Sequence, residues 1–223
     1  MYGDKEYTYK LSNNRIIPYL KANGIRKIDN LILTHGDFDH MGEAINLVNY
    51  IKVEKVIFNC GEFNELEQDL IKVLEKKNVK YYSCIKELSI DKYKLKFLNT
   101  KDYDNENDNS SVIYFNYNNY KFLFMGDAGI DKEKDILEKY NLKDIDFLKV
   151  GHHGSNTSSS EEFINSINPK YSLISVGKNN RYGHPKESDL DTLKNSKIYR
   201  TDLDGSIEIK LNKNGYKIRT CSP

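Results

Sequence analysis

The sequence predicts an α/β fold in which mixed β-sheets are covered by helices within a single domain, residues 1–223. Three observations lead there. Helical and strand patterns alternate almost throughout. Short apolar runs end repeatedly in loops rich in Gly, Asp and His. No repeat, low-complexity linker or Pro-rich boundary divides the chain.

The elements follow in order. Residues 16–21 read as a short helix stopped by Asn23-Gly24. A strand at 31–34 leads into a helix at 41–50, with Ile45 and Val48 on one face. Val56-Ile57-Phe58 is a buried strand, and 65–77 is an amphipathic helix carrying Leu66, Leu70, Val73 and Leu74 at helical spacing. Strands are expected at 79–84 and 94–98, then a polar, acidic loop at 102–109. Residues 112–117 and 120–125 flank Asn118-Asn119, a hairpin turn signal. Helices at 132–140, 160–167 and 188–193 alternate with strands at 146–150, 171–176 and 198–200. A closing hairpin, 206–211 and 216–219, turns on Asn214-Gly215.

Composition removes several function classes. With 223 residues, 38% hydrophobic and 30% charged, the chain can bury a sizeable core. A net charge of +1 excludes a global basic field, so a nucleic-acid partner needs a local patch. Cys60, Cys84 and Cys221 are odd in number and widely spaced, which predicts thiols in a reducing compartment and no disulfide. No apolar run approaches the roughly 20 residues a membrane helix needs. Residues 1–5 are polar and carry no signal-peptide core. The chain as written therefore reads as soluble.

The most informative segment is Thr34-His35-Gly36-Asp37-Phe38-Asp39-His40. It places four metal-ligand side chains just past the apolar run Leu31-Ile32-Leu33, where open α/β architectures keep their chemistry. In an extended loop, residues i and i+2 point the same way, so His35 and Asp37 reach one metal. The turn at Phe38 redirects Asp39 and His40 to a second. The bland alternative is an Asp-rich turn capping the next helix.

Three further strand ends repeat the pattern. Phe122-Leu123-Phe124-Met125-Gly126-Asp127 projects a carboxylate able to bridge two metals; alone it would read as a helix cap. Residues 148–157 run into His152 and His153, a ligand or general acid, followed by Ser155 and Thr157 in an anion-binding loop. Residues 174–185 bring Lys178, Asn180, Arg181 and Tyr182, groups suited to a phosphodiester or nucleotide. His184 follows them as a metal ligand. All five histidines of the chain thus lie in loops just after expected strands. Asp37, Asp39 and Asp127 plus a hydroxide would neutralise two divalent ions, which supply that hydroxide as nucleophile near neutral pH.

These stretches resemble the metallo-β-lactamase superfamily, and within it the hydrolase-like domain of ComEC-type DNA-internalisation (competence) proteins. The matching segments are residues 31–41 (LILTHGDFDHM), 106–110 (ENDNS), 122–128 (FLFMGDA), 148–155 (LKVGHHGS), 169–185 (PKYSLISVGKNNRYGHP) and 199–205 (YRTDLDG). The resemblance implies an αβ/βα sandwich of two mixed sheets flanked by helices and lacking the family's first strands. It implies a dimetal site in which His35, Asp37 and Asp127 serve one ion and Asp39, His40, Asp127 and His184 the other. Asp39, His152 and His153 are the expected catalytic groups. Asp37 stands where the superfamily usually has a second His, which tilts the two ions from Zn2+ towards Mn2+. The usual separate His before the GD strand is replaced by Asn107, Asp108, Asn109 and Ser110.

The expected activity is hydrolysis of DNA phosphodiesters during competence-related uptake, in the cytoplasm or as a membrane-associated domain beside an uptake channel. Two alternatives keep the fold. One hydrolyses another phosphodiester or small ester, such as a phosphocholine ester, a nucleotide or a lactone. The other is a degenerate domain that only binds DNA.

Overall fold

Short apolar strands alternate with amphipathic helices in the computed structural model, which describes residues 11–222. The polar stretch at residues 1–5 lies outside the described residues. Contacts divide the described residues into two units, with the boundary between Cys84 and Ile85.

In the first unit, a π-helical turn Ser12–Ile16 runs into α1 (Ile17–Ala22), which ends where Gly24 takes φ +72°. Strands β1 (Lys27–Ile28) and β2 (Leu31–Ile32) follow. The helix expected at 41–50 is instead two: α2 (Phe38–Met41) and α3 (Ala44–Tyr50). Gly42 lies at the break, where its weak helical propensity gives way most easily. Next come β3 (Lys52–Val53), β4 (Lys55–Phe58), α4 (Glu65–Lys76) and β5 (Lys80–Ser83). β1 pairs with β3, while β2, β4 and β5 form a three-stranded sheet in that order, wholly parallel. Val56, Phe58, Leu70 and Leu74 are buried with Leu33, Met41 and Leu47 in one core. Asn64 caps α4, accepting from the Glu67 amide while the Glu67 carboxylate accepts from the Asn64 amide.

Cys60 and Cys84 form a disulfide, which overturns the expectation of thiols. They follow β4 and β5, whose parallel register pairs Phe58 with Ser83 and so carries both cysteines to one sheet edge. A separation of 24 residues spans one strand–helix–strand crossover, and only the pairing register makes the two neighbours.

In the second unit, β6 (Glu87–Ile90), which the sequence reading missed, pairs antiparallel with β7 (Tyr93–Phe97). Strands β8 (Ile113–Tyr117) and β9 (Tyr120–Phe124) turn on Asn118-Asn119, both at positive φ, as a two-residue hairpin requires. Then follow α5 (Ile130–Lys139), β10 (Phe147–Lys149), α6 (Glu161–Ile167) and β11 (Tyr171–Ile174). The chain closes with α7 (Glu187–Thr192), β12 (Lys197–Arg200), α8 (Thr201–Asp204), β13 (Ser206–Asn212) and β14 (Gly215–Cys221). The last hairpin pairs Asn212 with Gly215, so its turn is Lys213-Asn214, one residue earlier than expected.

A mixed seven-stranded sheet runs β12-β11-β10-β9-β8-β7-β6. Strand alternation sends Leu123, Met125, Leu148 and Val150 into a core with Ile136 of α5 and Phe163 and Ile167 of α6. The opposite face carries an aromatic ladder, Phe115–Phe122–Phe147–Tyr171, with ring centroids 4.7–5.2 Å apart. The architecture is α/β, with multiple sheets flanked by helices. Among the described residues, no helix is long and apolar enough to cross a membrane.

The disulfide closes a loop whose chain-entropy contribution is about 3 kcal/mol. Peptide mapping without reductant should recover Cys60 linked to Cys84. The Cys60→Ser/Cys84→Ser variant should lose stability of that order in urea denaturation; equal midpoints for the two proteins would refute the bridge.

Candidate metal centre

Each unit presents one cluster of potential metal ligands, and in each the ligands stand just beyond a strand's C-terminal end. In the first unit, Leu33 continues the β2 ladder through a 2.9 Å bond from its amide to the Ile57 carbonyl. The chain then leaves the sheet at Thr34. The Thr34 hydroxyl lies 3.2 Å from His35 Nδ1 and 3.1 Å from His40 Nδ1. One hydroxyl can donate to one ring and accept from the other, so it fixes both imidazoles. Their rings pack at 4.1 Å, and their ligand atoms lie within 4.8 Å of one another. His35 Nε2 is 3.6 Å from Asp37 Oδ2, as the i, i+2 argument anticipates. Asp37 is the N-cap residue of α2 but makes no side-chain capping bond, so the capping alternative loses its main support. Asp39 and His40 sit in the first turn of α2, their ligand atoms also within 4.8 Å.

Gly36 is held from outside this loop. Its carbonyl accepts a 2.9 Å bond from Asn64 Nδ2, the residue that caps α4. A Cβ at Gly36 would lie 2.1 Å from that nitrogen and 2.8 Å from Glu67 Oε2. The α4 capping box therefore doubles as the anchor of the ligand loop.

In the second unit, Gly126 at φ +58° turns the chain out of β9 and presents Asp127, which is buried. The Asp127 amide donates to Ser110 Oγ at 3.0 Å, and the Gly129 amide to Asp108 Oδ1 at 2.7 Å. The expected acidic loop is thus partly an internal brace: Asp108, Asn109 and Ser110 are buried. Beyond β10, His152 and His153 both lie in the left-handed region, at φ 43° and 55°. Two consecutive non-glycine residues there cost roughly 1–2 kcal/mol each, a strain typical of functional turns. The turn brings His153 Nε2 to 3.6 Å and His152 Nε2 to 4.0 Å from Asp127 Oδ2. These separations exceed a hydrogen bond. They approach the roughly 3.3 Å between tetrahedral ligands with bonds of about 2.0 Å to one ion.

The rings are oriented from behind. His153 Nδ1 lies 2.6 Å from the Ser175 carbonyl, which can only accept, so Nδ1 carries the proton and Nε2 presents its lone pair. His152 Nδ1 is 2.9 Å from Thr157 Oγ1, itself 3.0 Å from Ser155 Oγ. Ser155 and Thr157, expected to meet substrate, therefore also hold a histidine.

His184 stands nearby, its ring 6.1 Å from that of His152. Asn180 uses both ends of its amide on the His184 backbone, accepting from the amide at 2.9 Å and donating to the carbonyl at 2.8 Å. The Gly154 carbonyl accepts from the Lys186 amide at 2.8 Å, and a Cβ on Gly154 would meet Pro185 Cβ at 2.6 Å, so the two histidine loops are locked together. Tyr182 is exposed; its ring stacks on His184 at 5.7 Å, with the Arg181 guanidinium 4.8 Å from its centroid. Lys178 is exposed in the same loop.

These residues fit divalent metal. Burial, then the charges of His152, Lys186 and His153, push His184 below the usual histidine range, favouring the neutral ligand form. Its Nδ1 is buried with no hydrogen-bond partner among the described residues. The donors are imidazole nitrogen and carboxylate oxygen without thiolate, a set that suits a divalent metal ion. Thr34 and the Ser175 carbonyl are supports that sequence reasoning missed, although Thr34 left a signal, a hydroxyl residue directly before the first His. Asp108 and Ser110, noted in the sequence only as standing where a His is usual, hold the Gly129 and Asp127 amides.

A family model described as the metallo-beta-lactamase superfamily matches residues 3–178. The chain belongs to this superfamily. It is 33% identical over 216 residues to ComE operon protein 3 of Bacillus subtilis (strain 168), covering 93% of this chain and 28% of that protein. It is 31% identical over 216 residues to competence protein ComA of Neisseria gonorrhoeae, covering 94% of this chain and 29% of that one. The chain therefore spans less than a third of the length of these relatives. Among solved structures, the metallo-beta-lactamase fold protein YhfI of Bacillus subtilis shares the fold, with a TM-score of 0.52 at 11% identity over 85% of this chain and 80% of that one. Superfamily, fold and ligand clusters together identify a metallo-β-lactamase-fold hydrolase.

Two outcomes follow from this geometry. Gly36→Ala must displace Asn64 and open the capping box, and should cost about 1–3 kcal/mol in urea denaturation; an unchanged midpoint would show the loop is not so anchored. For His184, the lowered folded pKa means the unfolded chain takes up the proton first as pH falls below about 6.5. Stability in chelator should therefore be full above that pH and decline below it. His184→Gln should remove this part of the slope between pH 7 and 5.

Proposed function

We propose that the chain is a dimetal phosphodiesterase that cleaves DNA, acting in competence-related DNA uptake. The observation that carries the reading is the turn at His152 and His153, aimed at Asp127 and locked to the loop that holds His184, Tyr182 and Arg181. A superfamily match that runs across both units supports reading residues 1–223 as one domain. His35, Asp37 and Asp127 are proposed for one ion, and Asp39, His40, Asp127 and His184 for the other. Mn2+ is favoured by the carboxylate share.

When bound, the two ions supply Lewis acidity and a hydroxide near neutral pH. The chain's own residues do the rest. Asp39 orients the attacking water. His152, held at Nδ1 by Thr157, donates a proton from Nε2 to the leaving oxygen. His153, with Nδ1–H committed to Ser175, keeps Nε2 as an acceptor and serves as ligand. Lys178 and Arg181 meet the phosphate backbone and Tyr182 offers a base-stacking face, while Ser155 and Thr157 hold His152 and Asn180 holds the His184 loop. The likeness to a protein named competence protein ComA supports a competence-related role; DNA as substrate and an uptake channel in the membrane as partner are part of the same proposal.

Protein loaded with Mn2+ should cleave DNA and a simple aryl phosphodiester. Asp127→Ala and Asp39→Ala should each lower the rate at least about a hundredfold. Arg181→Ala should weaken DNA binding and reduce the salt slope by about one. Metal-loaded protein that cleaves neither substrate would overturn the proposal. Cleavage of the aryl ester alone would redirect it to a smaller phosphodiester.

A further inference from the structure

Two buried charged residues in the first turn of α5 grip the loops on either side of it. Lys132 is 3% and Glu133 1% exposed. Lys132 Nζ donates to the carbonyls of Asp108, at 2.8 Å, and Ser110, at 2.7 Å. Those two residues in turn receive the Gly129 and Asp127 amides on their side chains. Glu133 accepts from the Ser159 amide at 2.6 Å, the Ser160 amide at 2.9 Å and the Ser160 hydroxyl at 2.7 Å. Ser158, next to that grip, donates back to the Gly151 carbonyl at 3.0 Å, immediately before the two histidines.

We infer that Lys132 and Glu133 are positioning residues: Lys132 sets the aim of the Asp127 carboxylate, and Glu133 that of His152 and His153. Neither is within two residues of a proposed ligand, and each acts through one intermediate loop. An ammonium and a carboxylate buried this deeply cost solvation, which burial registers by pushing Lys132 down to about 8 and Glu133 upward. Two apolar side chains would fill the turn without that cost, so the retained charges imply a demand for orientation beyond packing. The inference rests on the metal-site reading above.

The test compares Lys132→Met and Glu133→Gln with the parent in chelator and then with Mn2+. In Lys132→Met, the amides of Asp127 and Gly129 should exchange hydrogen at least about tenfold faster, while those of β13 and β14 keep their parent rates. Glu133→Gln should do the same at Ser159 and Ser160. Each variant should weaken Mn2+ binding by about 10–100-fold. If Lys132→Met does not fold, Lys132→Gln, which retains a donor, should show the same local pattern more weakly. Uniformly faster exchange with unchanged Mn2+ affinity would assign the pair a structural role and overturn the inference. A parent that binds no Mn2+ but shows the local exchange pattern would sink the metal reading while leaving the brace intact.

Discussion

An imidazole ligates only as well as its second nitrogen is held. Rotation about two side-chain bonds would otherwise spread the lone pair over several ångströms and both tautomers. Here the holders are a shared threonine hydroxyl for His35 and His40, a backbone carbonyl for His153 and a second threonine for His152. The orientation of these rings depends on these contacts as well as on the ligands' own backbone positions. A carbonyl is the most restrictive holder, because it accepts and never donates. His153 is therefore committed to one tautomer, whereas a hydroxyl partner leaves His152 able to exchange its proton. The two neighbouring histidines differ in chemistry because their partners differ.

The holders are themselves fixed by main-chain structure. Strand ends supply rigid origins, since Leu33 and Val150 complete ladder bonds just before the chain departs. The departure angles are set by close packing that only glycine allows: Gly36 against the α4 cap, and Gly154 against Pro185. The strained turn at His152 and His153 persists because it is fixed at both sides, by the bond from the His152 amide to the Gly126 carbonyl and by the bond between Lys186 and Gly154. Stability and site geometry are thus not separable here. The α4 capping box stabilises a helix and anchors a ligand loop through the same Asn64 side chain.

How much of this was legible in the sequence follows from the range of each interaction. Apolar runs that end in Gly, Asp or His are local patterns, so the strand ends and the four His- or Asp-bearing loops beyond them could be read directly. The hairpin at Asn118-Asn119 was legible because its turn residues take positive φ. What stayed hidden depends on register or on distant partners. Cys60 and Cys84 meet only through the β4–β5 pairing, and Ser175 reaches His153 across 22 residues of sequence. Residues 102–109 read as a polar, acidic loop from their composition; Lys132, which donates to the carbonyls of buried Asp108 and Ser110, lies 22 residues beyond Ser110. Asn180 shows the converse limit. Its amide suggested substrate contact, yet both ends are engaged by the backbone of His184.

Electrostatics gives these buried contacts their sign. Asp127 gathers two imidazoles, and Lys149, which burial pushes below the usual lysine range, is drawn back upward by the same carboxylate. A carboxylate in such surroundings favours any cation that approaches, so geometry must decide between a proton on a histidine and a metal between ligands. At 3.6 and 4.0 Å both imidazoles stand within ion-pair reach of the carboxylate and near the spacing of two ligands on one ion. These separations are too long for a direct hydrogen bond to be strong. The Ser175 carbonyl and the Thr157 hydroxyl hold the two imidazoles at Nδ1, and so leave Nε2 as the ring nitrogen that faces the carboxylate.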